Sequence, residues 1–375
     1  MGSDGTQNQV AVGHLPLSVA IEAALRVADQ RRERVFLVGG VVRDLMLGRE
    51  MGDYDLDLVV EGEGLAFADA LGREFNCTIR QHPSFLTAKL LPPFSFSGGD
   101  GPLLTELDIA TSRSEEYASP GALPTVTAAP IEKDLWRRDF SVNALALPLL
   151  DYAKLRAHVM TPEQAIPDIV DPCGGIADLR SKTLRVLHPK SFVDDPTRLF
   201  RAVRYAVRLS FDFDLTTVGV MLEAVRGGAL KTLSPRRVWN EVLAALDEEH
   251  PESVIEEFSA RGLFSHLPLV SAERLDEVTQ GLERLQQLRA ELPPDVYTVA
   301  GKLILLAGLI QDNREDILGA VHEGNRVAKR ARAVVQAVIS GEPPTDIPEL
   351  VAAYALSGRE ELRMALESSV EGGGD

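Results

Sequence analysis

Cysteine is nearly absent from this chain. Cys77 and Cys173 are the two, with neither the number nor the spacing for a disulfide framework or a zinc site. A reducing, cytoplasmic compartment is therefore expected. Long apolar runs are missing too: stretches such as Leu303–Ile310 fall far short of a membrane span, so no membrane partner is expected. The opening MGSDGTQNQV has no basic region and no apolar core, so no signal peptide is expected. Positive charge is in deficit as well. The 39 Lys+Arg stand against 56 Asp+Glu, a formal charge of −17, which taken alone argues against a nucleic-acid partner. The deficit is uneven, however. Ile131–Asn240 holds 17 basic and 13 acidic residues, a local +4, which leaves −21 on the remainder. A basic middle between acidic ends suits a protein that grips a polyanion locally.

What is present is a 375-residue chain, 45% hydrophobic, long enough for two or three packed units. Its most informative stretch is Val35–Gly62, VFLVGGVVRDLMLGREMGDYDLDLVVEG. The pattern predicts a strand at Val35–Val38, a Gly39-Gly40 turn, a helix over Val41–Leu47 stopped by Gly48, and a second strand at Leu58–Val60. Two glycines at a strand end allow a tight turn or the close approach of an anion. Asp55 and Asp57 fall two apart at the start of a strand, a spacing that puts both carboxylates on one face. Side by side they repel unless a cation lies between them, and hard oxygen donors suit Mg²⁺. Asp53 offers a second register. Asp55/Asp57 is preferred because an uninterrupted apolar strand follows Asp57, whereas the other register would bury Asp57. A glycine turn for phosphates followed by paired carboxylates describes a nucleotidyl-transfer site.

Downstream, a helix is predicted at Gly64–Phe75, strands at Thr78–Arg80, Thr87–Leu91 and Glu106–Ala110, and a loop at Pro92–Pro102. Asp108 sits in the strand pattern LDIA. It reads either as a third acidic residue or base of the site, or as a hydrogen-bonded structural carboxylate. Thr111–Glu132 shows little periodicity and reads as a long structureless segment, either functional or disordered. Arg137-Arg138-Asp139 opens an apolar run and reads as a helix start, with Asn143 one turn on from Asp139. In FVDDPTRLFRAVRYAVRLSF, Asp195 reads as an N-cap and Pro196 as first-turn proline. Leu199, Val203, Ala206 and Val207 would be buried, and Arg198, Arg201, Arg204 or Tyr205, and Arg208 would form an outer face. Ser234-Pro235-Arg236-Arg237 starts a further helix, with Trp239, Val242 and Leu243 turned inward. Beyond His250 the pattern is helical throughout.

GGxVRDxxLG, then DxD running into LVVEG, resembles the class II tRNA nucleotidyltransferase and poly(A) polymerase family. The resemblance covers roughly Val35–Leu246. The spacer between Gly48 and the aspartates is longer than the family pattern, and Asp194 stands where its EDxxR motif has Glu. The resemblance implies an α+β fold: a polymerase-beta-like nucleotidyltransferase head with a small mixed sheet, then an all-α neck, body and tail. The expected division is a tail at 1–15, a catalytic head at 16–150, a neck at 151–250 and a tRNA-binding body at 251–375.

It further implies Mg²⁺ in a two-metal site on Asp55 and Asp57, with Asp108 as a third catalytic acid. Gly39, Gly40 and Arg43 would handle the triphosphate. Arg137, Arg138, Asp139 and Asn143 would bind the nucleotide, with Asp139 on the ribose 2′-OH. Asp195 and Arg198 would read the base edge, Arg201 and Arg204 would add contacts to the nucleotide, and Arg208, Arg236 and Arg237 would meet RNA. Arg113, Glu115 and Tyr117 match the family's RxExY in a flexible loop that helps switch the site from CTP to ATP. Asp171–Arg185 looks like the family's hinge between head and neck. The implied activity is untemplated addition of CCA to tRNA 3′ ends from CTP and ATP, with no obligate protein partner. Rivals are an A-adding enzyme beside a separate CC-adding one, a poly(A) polymerase, a small-molecule nucleotidyltransferase and an inactive RNA-binding protein.

Overall fold

The computed structural model describes residues 10–49, 54–97, 103–118, 123–156, 162–263, 272–311 and 324–371. Asp53 lies outside them, as do the side chains of Asp55 and Trp239. The chain divides into two compact units, Met1–Ser191 and Phe192–Asp375.

In the first unit the strands are β1 (Val10–Gly13), β2 (Leu15–Pro16), β3 (Arg34–Val38), β4 (Tyr54–Glu61), β5 (Thr78–His82), β6 (Thr87–Leu91), β7 (Phe94–Ser97), β8 (Leu103–Thr111), β9 (Arg113–Glu116), β10 (Thr125–Ala128) and β11 (Ala146–Pro148). The main sheet runs β11-β3-β4-β8-β6-β5, with β2 pairing β8. Its one parallel pair is β4 with β8; the other neighbours described are antiparallel. That pair matters most, because in-register residues of parallel neighbours point to the same side of a sheet.

Alternation along β4 separates the two faces. Leu56, Leu58 and Val60 are buried on one side, and helices α1 (Leu17–Arg31) and α2 (Gly64–Phe75) pack against this sheet. Asp57, Val59 and Glu61 alternate with them. Val59 packs with Phe36, Val38, Ala146, Ile131 and Leu135, the last two on a short helix, Ile131–Trp136. That second face is therefore closed by apolar packing at Val59 and polar at Asp57.

Several sequence expectations are corrected here. The 1–15 tail contains β1 and the first residue of β2, and Val10–Gly13 finds a partner strand in Phe94–Ser97 within the expected Pro92–Pro102 loop. Thr111–Glu132 is not structureless. Arg113–Glu116 and Thr125–Ala128 form an antiparallel ladder, Arg113 opposite Ala128 and Glu116 opposite Thr125; short polar strands carry no apolar alternation to announce them. The boundary between units falls after residue 150, because the segment beyond β11 returns to the first unit. Val170 bridges to Ala146 and Val186 to Phe140, and Asp178 accepts from the Ser141 hydroxyl.

The second unit is helical over most of its described length. Its helices include Thr197–Leu209, Leu215–Arg226, Pro235–Leu246, Pro251–Ala260, Ala272–Gln287, Pro294–Gln311, Gly324–Ser340, Ile347–Ser357 and Glu360–Glu371. The α+β class with a helical second half is thus as expected. No helix among the described residues is long and apolar enough to cross a membrane.

Candidate active site

The site is built on the face of β4 and β8 that carries Asp57. Asp57 is exposed and stands opposite Asp108, while Asp55 stands opposite Glu106. Two in-register pairs, two residues apart along the strands, thus set four acidic positions in a two-by-two array. At a neighbour-strand spacing near 5 Å, two carboxylates repel by about 3 kcal/mol in a medium of effective dielectric near 20. The fold offsets part of this from the next strand. Lys89 of β6 lies opposite Asp108, with its Nζ 3.2 Å from Asp108 Oδ2 and a second ion pair to Glu106. Partial burial works against the Lys89 ammonium, but hydrogen bonds and charge from Glu106 and Asp108 outweigh it and raise its pKa. Asp108 is accordingly no lone carboxylate in an apolar strand.

A cavity of about 300 Å³ opens over this array, lined by Asp57, Lys89, Asp108, Ala110, Arg137 and Arg138 together with Val38, His82 and Thr87. The two arginines follow the helix Ile131–Trp136, with Arg137 as its C-cap. The expectation that Arg137-Arg138-Asp139 opens a helix is therefore corrected: the motif follows one. Asp134, fully buried, sits beneath them. It accepts from Arg137 Nε at 2.9 Å and Arg138 Nη2 at 3.0 Å, and from the backbone N–H of Arg113 at 3.2 Å. Burial alone would raise the Asp134 pKa, but the charges of Arg138 and Arg137 outweigh it and hold the carboxyl below its ordinary value. Burial likewise opposes the Arg137 charge, and Asp134 and Glu115 more than compensate. The Nε of Arg138 is buried without a hydrogen-bond partner, a donor at the cavity wall whose desolvation an anionic ligand would offset.

The glycine turn meets this wall. Gly39 has φ +72°, and a Cβ added there would lie 3.2 Å from Arg138 Nη1. Gly40 starts a short helix, Gly40–Met46, on which Arg43 is buried. Arg43 donates bidentately to Asp44 at 2.9 and 2.8 Å and to Asn143 Oδ1 at 2.7 Å. Asn143 Nδ2 in turn donates to Asp139 Oδ1 at 3.1 Å. Asn143 and Asp139 are neighbours as expected, through a 3-10 turn at Ser141–Asn143 rather than an α-helix. Arg43 is thereby a buried strut between the glycine turn and Asp139.

Arg113 and Glu115 stand on the hairpin β9–β10. Glu115 accepts from Arg137 Nη1 at 2.7 Å, from Arg113 Nη2 at 3.3 Å and from the Tyr117 hydroxyl at 2.9 Å. The expected loop is thus tied at its base to an arginine of the cavity.

In the second unit, Asp195 Oδ1 accepts from Thr197 N at 3.1 Å, Thr197 Oγ1 at 2.6 Å and Arg237 Nη2 at 2.7 Å. It serves the helix start from one position before Pro196, which is itself the N-cap. Arg198 is buried, against its expected place on an outer face. Arg204 donates to Glu241 at 2.9 Å and to Glu248 at 3.0 Å, and Arg208 donates to the same buried Glu248 at 2.7 Å. Arg201 donates to the Tyr205 hydroxyl at 3.1 Å. Ala206 and Val207 are half-buried where full burial was expected. Arg236 is exposed, whereas Arg237 is bound to Asp195.

Sequence reading missed Lys89, Glu106 and Asp134. The signals were available: Glu106 is two before Asp108 on one strand face, and Asp134 is three and four before the arginine pair, at ion-pair spacing. Lys89, on another strand, had none.

Residues 35–185 match the model of the poly(A) polymerase head domain. Those residues form a poly(A) polymerase head domain. Over 273 residues, 71% of this chain and 28% of the relative, the chain is 40% identical to the A-adding tRNA nucleotidyltransferase of Geobacter sulfurreducens. It is 32% identical to the Multifunctional CCA protein of Stenotrophomonas maltophilia over 71% of this chain and 56% of that protein. The aligned region spans about a quarter to a half of the length of the first curated relatives. A solved tRNA nucleotidyltransferase complexed with a primer tRNA and an incoming ATP analog is similar to the chain at 26% identity and a TM-score of 0.66, covering 93% of this chain and 97% of that one. The family resemblance carried by GGxVRD, DxD and LVVEG in the sequence is thereby shown, and the head domain is the part that bears the cavity.

Proposed function

We propose that this protein is a tRNA nucleotidyltransferase that adds CCA to tRNA 3′ ends from CTP and ATP without a nucleic-acid template. The observation that carries this reading is the cavity of the head domain, where in-register carboxylates face a pair of arginines beside a glycine turn. Carboxylate oxygens are hard donors that fit a divalent cation such as Mg²⁺. Among the described residues no three such side chains stand close enough to hold a metal alone, and Asp55 is the further ligand in this reading. Asp55 and Asp57 would hold the two Mg²⁺ ions, with Asp108 beside them. When bound, the metal supplies Lewis-acid polarisation of the phosphoryl group and of the attacking primer hydroxyl.

The chain's own residues position the reactants. Arg137 and Arg138, braced by Asp134, present fixed positive charge to a triphosphate, and Arg138 Nε gains the acceptor it lacks. Gly39 and Gly40 leave room for the phosphates, and Arg43 keeps the turn and Asp139 in place. Asp139 accepts from the ribose 2′-OH, which distinguishes ribonucleotides. Asp195 accepts from the amino group of C or A while Arg198 donates to a ring acceptor. Arg201 adds to the charge around the nucleotide and Arg236 contacts RNA.

A second reading, A addition alone, is favoured by the 40% identity to the A-adding relative. Both readings require transfer of A to a tRNA ending in CC. The test offers purified protein three tRNA transcripts, ending at the discriminator base, in C and in CC, with CTP, ATP or both. CCA addition extends all three. A addition alone extends only the CC transcript, and only with ATP. No extension of any transcript overturns the proposal, and long A tails indicate a poly(A) polymerase instead.

A further inference from the structure

β5 ends the main sheet on the side of β8 and β6, and its two faces differ. Ile79 rests on Gly72 and Gln81 Nε2 donates to Asp69 Oδ1 at 2.7 Å, both on helix α2. Thr78, Arg80 and His82 alternate with them and are exposed. Register carries this exposed face back to the cavity. Arg80 stands opposite Lys89, Lys89 opposite Asp108 and Asp108 opposite Asp57, so the four share one face of the sheet. Two residues further along β5, His82 stands opposite Thr87, and both line the cavity. Lys89 is taken up by Glu106 and Asp108. Arg80 and His82 make no side-chain hydrogen bond or ion pair among the described residues.

We propose that the exposed face of β5 is the docking track for the 3′-terminal phosphates of the RNA primer. Arg80 is its phosphate contact and His82 its inner end, beside the terminal nucleotide. The inference rests on the transferase reading above and follows from direction. In phosphoryl transfer the attacking and leaving oxygens lie roughly in line, on opposite sides of the phosphorus. The glycine turn and Arg138, which would hold the departing phosphates, lie at the end of β3, on one side of β4. The primer hydroxyl then approaches from the other side, over β8, and its strand trails across β6 and β5. β5 lies two strand spacings from β8, about 10 Å, where the phosphates behind the hydroxyl call for positive charge. An arginine supplies it as a planar fork of donors suited to phosphate.

The test measures turnover of a CC-ended tRNA with ATP, a transfer that both readings above share, and binding of the same RNA without nucleotide. Arg80→Ala should raise KM for the RNA several-fold and leave KM for ATP and kcat near the parent's. It should also reduce the slope of log K against log salt by about one, whereas Arg80→Lys should keep that slope. Replacing the last phosphodiesters of the RNA one at a time by uncharged methylphosphonates locates the contact. At one linkage the loss seen with the parent should vanish with Arg80→Ala. Unchanged RNA binding by Arg80→Ala, a raised KM for ATP instead, or losses that add at every linkage would overturn the proposal. So would a His82→Ala that raises KM for ATP rather than for the RNA. A parent that binds the RNA through Arg80 yet transfers nothing would remove the transferase reading and leave this surface standing.

Discussion

The arginines of the head domain and those of the helix Thr197–Leu209 look alike on paper: clustered, regularly spaced and in the basic middle of the chain. Their surroundings differ. Arg137 and Arg138 are anchored from below by one buried acid, Asp134, and still line an open cavity. Arg204 and Arg208 converge on Glu248, a buried acid about forty residues on in the chain. In the first case the acid holds the charges at the wall of an open cavity; in the second it absorbs them into the packing. Spacing along a helix shows which residues share a face, and the partner on another element decides whether that face is available.

The largest effect that would break this contrast lies in the cavity. Asp57→Ala, and Asp55→Ala beside it, should abolish nucleotide addition with far-UV circular dichroism unchanged, while Asp53→Ala stays active. An inactive Asp53→Ala with an active Asp57→Ala would move the ligand pair two residues back.

Asp134→Asn comes next. Leaving two arginines over an uncharged buried amide should cost about 3–5 kcal/mol of stability by urea unfolding, together with loss of ATP binding. Because the Asp134 pKa is depressed in the folded state, its stabilisation is complete above the ordinary carboxylate pKa and is lost as pH falls through the folded-state value. The acid limb of the stability curve should therefore flatten in Asp134→Asn. An unchanged limb would show that the arginines do not depend on it.

Arg198→Ala is expected to damage base choice by roughly 1–3 kcal/mol, the usual worth of a bidentate contact to a base edge, measured as relative turnover with the four nucleotides. Because Arg198 is buried, stability must be measured beside it. A fall in stability with selectivity intact would make it a core residue.

The smallest effect sharpens the comparison directly. If Arg208 is held by Glu248, Arg208→Ala should lower stability and leave the salt dependence of tRNA binding near the parent's. The exposed Arg236 should reduce the slope of log K against log salt by about one when replaced by alanine. The reverse pattern would return the RNA contact to Arg208.

Much of this was legible. The helix Gly64–Phe75, the β3-turn-helix-β4 unit and the pairing of Asn143 with Asp139 follow from local periodicity and spacing, which are properties of a few adjacent residues. The helix boundary at Arg137, the Arg113–Glu116 ladder and the Glu248 cluster were not, because each depends on a partner distant in the chain. Lys89 is the clearest instance: nothing in TAKLL marks a lysine that will stand opposite Asp108 two strands of sequence later.

The parallel pairing of β4 with β8 has one further consequence, which concerns insertions and deletions. Asp57 meets Asp108 only because both carry the same parity, counted from the sheet face. One residue inserted between Glu106 and Leu107 would send either Glu106 or Asp108 to the face buried against the helices. An insertion of two restores the parity and displaces one member of the pair by about 7 Å along the strand. The same residues added in the connection before Leu103 can be taken up without altering either strand. Length variants of this head domain that remain active should therefore carry their changes outside β4 and β8, whatever those changes are.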